Sequence, residues 1–137
     1  MITIKEFNIL NNKDIIDQNN PILQLKPEDR TVNQQAEILS GYCVENKKFV
    51  EEFYNLCNAK TDENDSKNND NFKLKIVGKC LAFFAEKTDV VAKALTLIEP
   101  IIQTNSSKET LLNSVLMWSG MDGASKLYSS LKSQWNI

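Results

Sequence analysis

Apolar side chains recur at two different periods along this chain, and the period changes near residue 31. Before that point Ile2 and Ile4 alternate with polar neighbours and lead into Phe7, Ile9 and Leu10, which predicts a short strand or an extended arm. Asn11, Asn12, Asn19, Asn20 and Pro21 punctuate the next stretch, and Ile22, Leu23 and Leu25 offer a second extended piece. Residues 1–30 therefore read as an extended N-terminal arm or a β-hairpin. From Thr31 the spacing becomes helical, through Val32, Ala36, Leu39 and Cys43. Thr31 and Gln34 stand three apart as a capping box requires, with Pro27 confined to the turn before them. Val50, Phe53, Tyr54, Leu56 and Cys57 continue the stripe to about residue 59. Gly41 and the polar run 45–48 leave one long helix and two shorter ones equally open.

Residues 61–71 carry no apolar side chain, so the pattern predicts a mobile polar loop on the surface. Beyond it the helical signals strengthen. Leu74, Val77, Leu81, Phe84 and Ala85 share a face, so residues 72–87 read as a helix with its lysines turned outward. Thr88 and Asp89 are placed to cap the next helix, which carries Val91, Ala94, Leu95 and Ile98 before Pro100 ends it. Ser106 and Glu109 match a second capping box, followed by Leu111, Leu112, Val115, Leu116 and Trp118 up to a stop at Gly120. Asp122 then caps a last helix bearing Ala124, Leu127, Tyr128, Leu131 and Trp135. Helices joined by such short turns must fold back to bury their faces. The expected fold is mainly α: one domain over 1–137, a compact bundle of five to six helices, with a short extended or β-hairpin segment at its N-terminus.

Composition changes what chemistry to expect. The chain has no histidine, and its three cysteines, Cys43, Cys57 and Cys80, lie far apart in sequence. Compact catalytic and metal sites commonly draw on imidazole or thiolate, so no catalytic residue, cofactor or metal is expected. Three dispersed cysteines suit reduced core thiols in a cytoplasmic protein better than a disulfide framework. Glu6 stands where a signal peptide would place its apolar core, and no run reaches about 18 apolar residues, so a membrane partner is not expected.

Three motif-like stretches fail on inspection. Asp62, Asn64 and Ser66 match the first ligand positions of a calcium loop, but Lys67 replaces the turn glycine and Lys73 the closing glutamate. Residues 119–126 bring two glycines and a Ser-Lys pair to a helix start. They lack the glycine before Lys126 and the hydroxyl residue after it that a phosphate loop needs. Lys73, Lys75 and Lys79 form a weak basic cluster in a chain with a single arginine, so nucleic acid is a disfavoured partner.

Charge is uneven, with seven basic and nine acidic side chains over 1–60, one and four over 61–71, and eight and five over 72–137. At physiological salt, where screening acts within about 8 Å, this gradient is an ordinary solvated surface. What remains is apolar surface. Phe7 and Leu10 on the arm, and Leu127, Tyr128, Leu131 and Trp135 on the last helix, are the candidate partner-binding residues, since aromatics of this kind concentrate at binding hot spots. Trp118 is assigned to the core. The expected function is a non-catalytic protein–protein interaction module: an adaptor, an inhibitor or an assembly chaperone, with the small helical chaperones of phage tails as one form by analogy of size. A homo-oligomer is compatible with it. The rivals are a ligand-binding or enzymatic helical domain using Asp, Lys or Ser groups, and a weak lysine-based nucleic-acid binder.

Overall fold

The structure is a computed structural model that describes residues 19–42, 44–59, 66–120 and 123–137, the backbone alone over 66–69. Among these residues it contains six α-helices and no β-strand: α1 (Val32–Ser40), α2 (Lys47–Asn58), α3 (Ser66–Phe83), α4 (Thr88–Ile98), α5 (Asn105–Met117) and α6 (Ala124–Trp135). Short 3-10 turns cover Pro21–Gln24, Pro27–Asp29 and Glu99–Ile101. The helical class is the one that the periodicity predicts. The arm over residues 1–18, with Phe7 and Leu10, lies outside the described residues. The chain divides into two compact units, Met1–Phe72 and Lys73–Ile137.

In the first unit the stretch read as a second extended piece is a 3-10 turn instead. Pro21 sets its first φ, and the Asn20 side chain accepts a hydrogen bond from Ile22 N at 3.0 Å, so local capping overrides the apolar pattern. The capping box at Thr31 forms as expected: Thr31 Oγ1 accepts from Gln34 N and Gln34 Oε1 accepts from Thr31 N. Gly41 ends α1, and the Asn46 side chain caps α2, which resolves the open choice in favour of two helices. They bury Val32, Ala36, Ile38 and Leu39 from α1, and Phe49, Phe53, Leu56 and Cys57 from α2.

A polar knot joins these pieces. Arg30 Nη1 donates to Gln35 Oε1 at 3.0 Å and to Glu52 Oε2 at 3.1 Å, while Arg30 Nη2 donates to the Leu25 carbonyl at 3.2 Å. Gln35 Nε2 donates to Glu52 Oε2 at 2.6 Å and to the Glu52 carbonyl at 3.0 Å. All three side chains are buried. The guanidinium thus ties the 3-10 segment to α1 and α2.

In the second unit α3 buries Leu74, Ile76, Val77, Cys80 and Leu81, and it approaches α5 closely at Gly78. Ser114 Oγ donates to the Lys75 carbonyl at 2.6 Å, and a Cβ on Gly78 would stand 2.6 Å from Ser114 Cβ. Four expectations need correction here, and a fifth falls outside the described residues. Of the loop expected over 61–71, residues 66–71 are instead the first turns of α3, because extending a helix that an apolar face has nucleated costs far less than starting one, and residues 61–65 lie outside the described residues. That helix ends at Phe83, short of Lys87. Thr88 is the first residue of α4 and not its cap, with Lys87 in the cap position and Asp89 in the positively polarised first turn. The α5 box is formed two residues early, by Thr104 and Ser107, which leaves Ser106 inside the first turn. Finally, Gly123 with φ +82° begins α6, a conformation that favours glycine. Asp122, the expected cap, lies outside the described residues. Asn136, at φ 63°, closes α6 by donating its N–H to the Lys132 and Ser133 carbonyls.

Candidate partner-binding groove

Helices α4 and α6 do not close on each other along their whole length. On α4, Thr88, Val91, Ala92, Leu95 and Thr96 follow the three-and-four spacing that puts side chains on one face, and on α6 Leu127, Ser130, Leu131 and Gln134 do the same. With Ala85 these residues line a groove of about 370 Å³. Val91 and Leu131 are buried in its floor, and Leu95 and Leu127 are half-buried in its walls. Ala92 and Ser130 are exposed lining residues whose small side chains leave space where longer ones would fill it.

At Leu95, Thr96 and Gln134 the groove meets a second stretch of about 380 Å³, which adds Glu99, Ile102, Gln103, Lys108 and Trp135. No charged side chain lines the first stretch. Two of the polar lining groups are turned onto their own backbone: Thr96 Oγ1 donates to the Ala92 carbonyl at 2.9 Å and Gln103 Nε2 to the Glu99 carbonyl at 2.7 Å. The Thr96 hydroxyl hydrogen is therefore used, and the first stretch presents more apolar than polar surface, whereas the second, with Glu99, Gln103 and Lys108, is the more polar of the two.

The structure sorts the candidates on the last helix. Leu127 and Trp135 are half-buried and line this groove from α6. Leu131 is 2% exposed, which makes it core and the groove floor rather than a contact residue. Tyr128 points to the other side of α6, into a separate groove of about 280 Å³ with Glu109, Leu112, Asn113, Lys132 and Ile137, and Lys132 Nζ lies 5.7 Å from its ring centroid. The α4 wall was missed, because Val91 and Leu95 read as core and the sequence does not show that α6 leaves their edge open.

A second apolar surface was also missed. Leu116 is 45% and Met117 66% exposed, on the outward side of α5. The signal for it lies in residues 110–121, which contain no charge, so apolar residues exceed what one buried face of α5 can hold. Trp118 beside them is half-buried instead of core, its ring centroid 5.9 Å from that of Phe83 and 4.4 Å from Lys79 Nζ. That cation–π contact bears on the basic cluster. Lys79 is 2% and Lys73 4% exposed, so the expectation that the lysines of this helix turn outward is wrong for both, and no solvent-facing cluster with Lys75 exists.

Among the described residues no three His, Cys, Asp or Glu side chains come together as metal ligands, and no helix is long and apolar enough to cross a membrane. Cys57 and Cys80 are buried among core residues; Cys43 lies outside the described residues. Comparison with known protein families, with curated proteins and with solved structures found no match to this chain.

Proposed function

We propose that this chain is a non-catalytic protein-binding module, an adaptor, inhibitor or assembly chaperone, that receives its partner in the groove between α4 and α6. The observation that carries this reading is the continuous channel from Ala85 to Trp135. Its walls are half-exposed Leu95, Leu127 and Trp135, and its first stretch lacks any charged group. An uncharged stretch with leucine walls that leads to an aromatic side chain can release water on contact and supply binding energy through a few anchors. A cytoplasmic setting fits the buried cysteines.

The test uses substitutions at exposed lining positions, which leave the core untouched. Tagged wild type, Ala92→Glu, Ser130→Glu and the off-groove control Ser133→Glu are used for capture from a lysate of the native source. The expected result is one stoichiometric protein on wild type and on Ser133→Glu, with capture reduced at least about ten-fold by either groove substitution, since each would desolvate a carboxylate against aliphatic surface. Equal capture by all four, or no partner on wild type, contradicts the proposal.

A further inference from the structure

No further inference is drawn: the strongest candidate, the exposed apolar patch of Leu116 and Met117 at the C-terminal end of α5, carries none because nothing in the structure shows what covers it.

Discussion

Replacing Arg30 by methionine is expected to destabilise the N-terminal unit by about 3–5 kcal/mol, the largest loss of any single change outside the apolar core. Glu52 accepts from both Arg30 and Gln35 and is buried; without the guanidinium its carboxylate keeps Gln35 but loses its countercharge. The Leu25 carbonyl loses its donor in the same step, which releases the 3-10 segment from α1 and α2. The loss comes from breaking the set, since ion pairs taken out of water are themselves near neutral in stability. Arg30 Nε is already buried without an acceptor, which lowers the net value of the pair further. Removing the whole set at once, as Arg30→Met, Gln35→Leu and Glu52→Leu together, should therefore recover most of the stability. Hydrogen exchange at α1 and α2 amides measures both variants. A single-variant loss under about 1 kcal/mol, or a triple variant no better than the single one, contradicts the account.

Gly78→Ala is expected to cost the second unit about 1–3 kcal/mol, even though alanine is worth about 1 kcal/mol over glycine in a helix. The new Cβ would meet Ser114 Cβ at 2.6 Å and the Leu111 carbonyl oxygen at 2.9 Å, and neither is the far end of a flexible side chain. The backbones of α3 and α5 would have to separate, and the bond from Ser114 Oγ to the Lys75 carbonyl would lengthen with them. Adding Ser114→Gly should relieve only part of the strain, because the Leu111 carbonyl remains. Thermal unfolding, with the near-ultraviolet signal of the Trp118 surroundings as a second reading, checks this. A neutral or stabilised Gly78→Ala would mean that the two helices are not in such close contact.

Local patterns were legible in the sequence, and long-range pairings were not. The Thr31 box and the break at Gly41 depend on residues within a few positions of each other, and both are present. The α5 start was misplaced because Thr104–Ser107 and Ser106–Glu109 are overlapping boxes that propensity alone does not rank. Lys73 and Lys79 were assigned to solvent by residue type. Yet a lysine stem is apolar, and one partner of the Lys79 head is Trp118, 39 positions away. Arg30, Gln35 and Glu52 gave no signal for the same reason, since the pairing with Glu52 spans 22 positions. Of the groove, the α6 wall was half legible: Leu127 and Trp135 recur at eight residues, whereas the α4 wall emerges only when two helices fail to close on their small side chains.

Occupation of the α4–α6 groove by a partner is read out by methyl NMR of the labelled full-length chain before and after addition of the partner isolated from lysate. Large shifts are expected at Val91, Leu95 and Leu127, and at the Trp135 indole, with the Leu116 and Met117 methyls and the α1–α2 methyls unmoved. Shifts centred on Leu116 and Met117, or on Val32, Ile38 and Leu39, with the groove methyls unchanged, would contradict it.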